Sequence, residues 1–294
     1  MTFAAAGAHF SWNLVDDVRQ LFEFTFMVNA FRAGTIVAVV AGVIGWFMVL
    51  RRQTFAGHTL AVVGFPGAAG AVWLGVSAVW GFFAFCLAAA LLIAGLRPGD
   101  GKGYSEESAG IGVVQAFALA CGFLFVNLSH SFLNGINALL FGTFLGITST
   151  QVLVLLVVGV LALAVVAIVG RPLLFASVDP DVAAARGVRV QRLAVLFLVL
   201  LGLTVAEVSQ ITGTLLVFAL LVMPAATAQV LTARPAVSLV LTVAIGVVVT
   251  WLGLAVAYFS PYPIGFFVTT FAFAAYVGAA ATRHAGWRRA LAPS

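Results

Sequence analysis

Long apolar runs separated by short polar stretches make up most of this chain. A run of about 20 apolar residues crosses a bilayer as a helix. Nine such runs are expected as spans, at about 33–50, 57–76, 79–96, 109–126, 150–170, 193–208, 212–231, 236–259 and 264–282. Proline removes a backbone donor and disturbs a helix. The second span is therefore expected to be broken at Pro66-Gly67, and the seventh interrupted at Met223-Pro224. The apolar piece 136–147 is too short to cross and predicts a half-helix or surface helix. A count of eight follows if one short run is re-entrant. Residues 12–26 predict an interfacial amphipathic helix with Asp16, Asp17, Arg19 and Glu23 on one side. Barrel strands would alternate polar and apolar residues, and these runs do not. The expected class is an all-α, polytopic membrane protein: an extracytoplasmic or interfacial segment 1–32, a membrane domain 33–282 and a cytoplasmic tail 283–294.

Charge refines this picture. Charged residues are 8% of the chain, against about 25% in soluble domains. The net charge of +5 does not point to nucleic acid, because its placement follows the membrane. With nine spans, twelve of the fourteen Lys and Arg residues fall on one side, and only Arg19 and Arg32 lie opposite. The positive-inside rule then puts the amino terminus outside and the carboxyl terminus in the cytoplasm. Trp73, Trp80 and Tyr262 sit at the outer ends of spans, as interfacial aromatics do. Cys86 and Cys121 lie inside apolar runs and read as small hydrophobes.

The polar stretch 179–192 stands out between two apolar runs. Asp179 suits an N-cap, Pro180 the first helical position, Ala183 to Ala185 the helix body, and Gly187 its end. Such a helix is either a solvated connection or a docking knob for a cytoplasmic partner. Ionisable groups in spans are costly. Glu207 is the carboxylate within an apolar run, with Gln210 one turn on. It is either a cation-attracting or gating group, or an interfacial glutamate reaching water. His58 is either a cation ligand or an imidazole bonded to backbone. Met223-Pro224 frees a carbonyl as a potential ligand, or is a hinge or packing kink. Gly42, Gly45, Gly64, Gly67 and Gly70 suit close helix packing. His130 reads as an outer-loop histidine.

Several of these segments resemble one family. Leu50-Arg-Arg-Gln-Thr-Phe-Ala-Gly57 followed by Phe65-Pro-Gly67, then Leu140-Phe-Gly142, then Asp179-Pro-Asp-Val-Ala-Ala-Ala-Arg-Gly-Val188, and the run from Gly213 through Met223-Pro-Ala-Ala-Thr-Ala228 occur in its order. They are similar to permease subunits of the zinc/manganese/iron (ABC-3) class of ABC importers, whose fold is that of type II importers. The resemblance implies a bacterial cytoplasmic-membrane protein that works as a pair of permease copies. Its partners would be a cytoplasmic ATPase subunit, where ATP binds, and an extracytoplasmic binding protein or lipoprotein. It implies that Asp179, Asp181, Ala183, Ala184, Arg186 and Gly187 form the helix that couples to the ATPase. With the residue readings above, His58, Thr143, Glu207, Gln210 and Met223 are the expected substrate-pathway positions, and His58 and Glu207 the candidate metal ligands for zinc or manganese.

The chain departs from the family at the ligands. An acidic residue and, four residues later, a histidine are common where this chain has His58 and Val62, and Thr143 stands where Asp is frequent. The chain has no Gly-x-x-x-x-Gly-Lys-Ser/Thr run of its own. The leading expectation is a permease for a divalent metal, not an enzyme. The alternatives are the same machinery carrying a metal chelate or other small solute, and an ion-coupled secondary transporter.

Overall fold

The structure is a computed structural model and describes residues 14–96, 104–129, 146–214 and 217–290. His130, Thr143 and most of the 136–147 piece lie outside these. The described residues form eleven helices: α1 (Leu14–Glu23), α2 (Thr25–Leu50), α3 (Thr54–Trp73), α4 (Ala78–Leu96), α5 (Tyr104–Leu128), α6 (Ser149–Val178), α7 (Pro180–Ala185), α8 (Val190–Thr212), α9 (Val217–Leu231), α10 (Pro235–Tyr258) and α11 (Ile264–Ala290). Eight of them are long and apolar enough to cross a membrane; α9, with 15 residues, is shorter.

Three helices form the centre. Most of α2, α3 and α8 is buried inside the chain, whereas α5, α6 and α11 expose most of their apolar surface. The α2 helix packs on α6, α8, α9 and α10, α3 packs on α4 and α5, and α8 joins the two groups through α4. Lipid tails are as apolar as Leu, so close packing rather than water exclusion joins such helices. Glycine permits that closeness. Gly67 of α3 and Gly81 of α4 press backbone to backbone, and Gly45 of α2 sits on the Leu221 carbonyl of α9.

Three boundaries and two expected breaks differ from the sequence expectation. The first span begins at Thr25 rather than Ala33. Asn29 conceals this in the sequence, but it is buried and donates to the Ile147 carbonyl (3.2 Å), so its polarity is satisfied inside the bundle. The second span is not broken: α3 runs through Pro66. Proline removes one hydrogen bond, and Pro66 is buried where α5 brings Gly122 against it. Likewise α9 is continuous through Pro224. The fifth span continues past Gly170 and Pro172 to Val178. At 30 residues it is about 45 Å long, well beyond the roughly 30 Å of the hydrocarbon core. The sixth span reaches Thr212, and the turn that follows is buried: Gly213 adopts φ +73° and Thr214 is 2% exposed. Irregular backbone is tolerated at membrane depth where protein surrounds it.

Candidate functional site

Two separate polar locations emerge from the bundle. The first surrounds α7. Asp179 is both the last cap of α6 and the N-cap of α7, and its carboxylate accepts the Val182 N–H at 3.0 Å. Pro180 takes the first turn, where its missing donor costs nothing. The helix closes where Gly187, at φ +83°, lets the Val188 N–H reach the Ala183 carbonyl at 3.0 Å. Ala183 is fully buried, while Asp179, Asp181, Ala184, Arg186 and Gly187 are exposed. Val178 and Val182 add exposed apolar surface beside Arg186 and Arg189. A knob of apolar, acidic and basic side chains is thereby held at the end of an overlong helix.

The second location lies among the spans, and the structure divides its expected members. His58 sits in the second turn of α3, half-buried, with its ring edge-on to Phe218 of α9 at 5.2 Å. Nearby on α3, Gly64 faces Thr214 of the buried turn. Met223 is on the same α9 helix, and its carbonyl accepts the Thr227 hydroxyl at 2.7 Å. Glu207, by contrast, faces α6 and α2. Its Oε1 lies 3.1 Å from where a Cβ on Gly159 would stand, beside Val40 and Ile36. Gly159 thus makes the room that the carboxyl occupies. Glu207 is fully buried, and neither carboxyl oxygen has a hydrogen-bond partner.

Gln210 is one turn beyond Glu207 on α8. It lines a cleft of about 80 Å³ with Gly146, Ile147, Gln151, Leu155 and Ile211, room for about two waters. Gln151 is already engaged, since its side chain accepts from the Thr148 N–H at 2.9 Å in a capping box. The structure therefore brings Glu207 and Gln210 to the α6–α8 junction and sets His58 against Phe218 at the α3–α9 junction, with Met223 further along α9. Among the described residues, no three His, Cys, Asp or Glu side chains come together.

Sequence reasoning missed Gly159, whose role is visible only through what α8 places against it. Arg51 entered as a topological charge and a motif residue, and its contacts were not foreseen. Arg51 donates to Ser177 of α6 and lies over the Phe197 ring of α8.

Most of the chain resembles known proteins. Residues 23–283 match the model of the ABC 3 transport family. The chain is 30% identical over 241 residues to the manganese import system permease protein ScaB of Streptococcus gordonii, covering 82% of this chain and 85% of ScaB. It is 32% identical to the manganese transport system membrane protein MntC of Halalkalibacterium halodurans, covering 80% of each. It is 30% identical to the chelated iron transport system membrane protein YfeC of Yersinia pestis, covering 83% and 80%. Among solved structures, PsaBC from Streptococcus pneumoniae in complex with Fab superposes with TM-score 0.79 at 28% identity, covering 90% of this chain and 94% of that one. An inward-facing metal-chelate type ABC transporter shares the fold, with TM-score 0.67 at 20% identity over 93% and 91% of the two chains. The chain belongs to the ABC 3 transport family, as a multi-pass permease subunit whose ATPase is a separate polypeptide.

Proposed function

We propose that this chain is the membrane pathway of an ABC importer for a divalent transition metal, with manganese the first choice and zinc or iron next. The observation that supports this most is its similarity, over about four-fifths of its length, to permeases named for manganese import. Two copies form the pathway, an extracytoplasmic binding protein delivers the ion, and α7 seats in a cytoplasmic ATPase. The amino terminus is outside and the carboxyl terminus inside, as the basic loops require. Closure of the ATPase pair displaces α7 and switches the pathway between outward and inward access.

Along that pathway we assign His58, Gln210 and Met223 to the substrate, with Thr143 assigned from its sequence motif alone, and Glu207 contributes a buried carboxyl group. Oxygen donors suit manganese, and imidazole suits zinc and iron as well. A second reading keeps the machinery and carries the metal as a chelate. It is favoured by Val62, one turn after His58, which leaves a single imidazole where the family pattern has two ligands. A chelate brings its own donors and needs fewer from the protein.

Two measurements separate these readings. Manganese is expected to raise the melting temperature of the cognate binding protein and to accumulate in proteoliposomes holding the complete transporter. A binding protein unmoved by manganese, zinc and iron, with uptake only of a chelate, would replace the first reading with the second. Glu207→Gln tests the carboxyl directly. The amide has the same shape, and the niche beside Gly159 is unchanged, so folding is retained. Ion uptake is expected to fall about tenfold, the loss of roughly 1.4 kcal/mol of favourable interaction. Wild-type uptake by this variant would remove Glu207 from the pathway.

A further inference from the structure

Movement of α7 has to reach the spans, and one side chain is placed to carry it. Arg51 closes α2 at its C-cap. Its Nη1 donates to Ser177 Oγ on the last turn of α6 at 3.0 Å, and its Cζ lies 5.3 Å from the centroid of the Phe197 ring on α8. Ser177 stands two residues before Asp179, and Phe197 lies in the second turn of α8. One guanidinium therefore holds both legs of the α6–α7–α8 hairpin. Both anchors are firm, since Ser177 donates onward to the Leu173 carbonyl and Phe197 is fully buried.

The other side of Arg51 leads into α3. Arg52 adopts φ +56°, a left-handed conformation that is sterically unfavourable without glycine. The Gln53 N–H then returns to the Met48 carbonyl at 3.0 Å, α3 begins at Thr54, and His58 follows in its second turn. A turn held in such a conformation persists only while its surroundings enforce it. From this turn Arg51 reaches both legs of the hairpin.

We propose that Arg51 is a positioning residue that transmits displacement of the α6–α7–α8 hairpin to the α2–α3 turn, and through it to His58. This rests on the assignment of α7 as the ATPase-docking helix. Arginine suits the task because its planar fork donates directionally while its face stacks on an aromatic ring; lysine keeps the charge but loses the fork.

The test uses the complete transporter in proteoliposomes, measuring ATPase co-assembly, binding-protein-stimulated ATP hydrolysis and uptake per ATP. Arg51→Met fills similar space and should retain assembly and hydrolysis, while uptake per ATP falls about tenfold, within the range of typical coupling energies. Arg51→Lys should recover part of it. Arg51→Cys with Ser177→Cys, in a Cys121→Ser background, should be as poor as Arg51→Met until a short bis-thiol reagent spans the pair and restores uptake per ATP. Normal uptake per ATP in Arg51→Met would overturn the proposal. So would a parallel loss of hydrolysis and uptake, or a cross-linked pair that stays uncoupled. Failure of the docking assignment itself is distinct: it appears as unchanged ATPase assembly when α7 is deleted, whatever Arg51 does.

Discussion

Deleting Ala183 to Arg186 will abolish ATP hydrolysis coupled to transport while leaving the membrane bundle folded. The deletion removes the body of α7 and the carbonyls of Ala183 and Ala184 that receive the Val188 and Gly187 N–H groups. The Asp179 carboxylate keeps its Val182 partner in sequence but has no helix left to cap. The core of the spans is elsewhere, in α2, α3 and α8, so detergent-solubilised protein should elute as the wild type does. Only the knob is lost. The ATPase subunit should fail to co-purify, and its stimulation in reconstituted vesicles should vanish. A milder variant, Asp179→Ala, removes one cap worth about 1 kcal/mol and should weaken association in proportion. Unchanged stimulation in the deletion would end the docking assignment.

Gly81→Ala is expected to be among the most damaging single methyl additions at the described glycines. A Cβ at Gly81 would meet the carbonyl and carbonyl carbon of Gly67 and the Cβ of Ala71. These are backbone and near-backbone atoms, so no rotamer change relieves the clash and α3 must part from α4. Overpacking of this kind costs about 1–3 kcal/mol and sometimes more, and in a membrane no water-exclusion term pulls the helices back together. The melting temperature of the purified protein should drop markedly, and Gly81→Leu should not yield a folded product. Gly45→Ala, which meets the Leu221 backbone, should behave like Gly81→Ala. Gly112→Ala and Gly278→Ala are the controls, since nothing lies within 4 Å of a Cβ at either. A Gly81→Ala protein as stable as those controls would refute the close-contact account.

Much of the architecture was legible because two of its determinants are local. Apolar run length sets where helices can cross, and residue chemistry at 179–187 sets the cap, first turn and end of α7 without reference to the remainder of the fold. Glycines at 42, 45, 64, 67 and 70 were also read correctly as packing positions, since each faces another helix. Proline misled at Pro66 and Pro224, where the helices run on. Its cost is a single hydrogen bond, small against the packing of a whole span, and local rules do not weigh the two.

The candidate site divides along the same line. Sequence alone identified the family motifs and the residues whose polarity is unusual for a span, and the charge rule gave an expected side for 179–192. Only the tertiary structure decided that Glu207 occupies the space vacated by Gly159 on α6, whereas His58 faces Phe218 on α9. It likewise decided that Arg51 spans both legs of the α7 hairpin. The physical reason is that helix formation depends on neighbours within a turn or two. Which faces meet depends on side chains and missing side chains far apart in the chain, such as Gly159 and Glu207, 48 residues apart by their numbers, and packing alone brings those together.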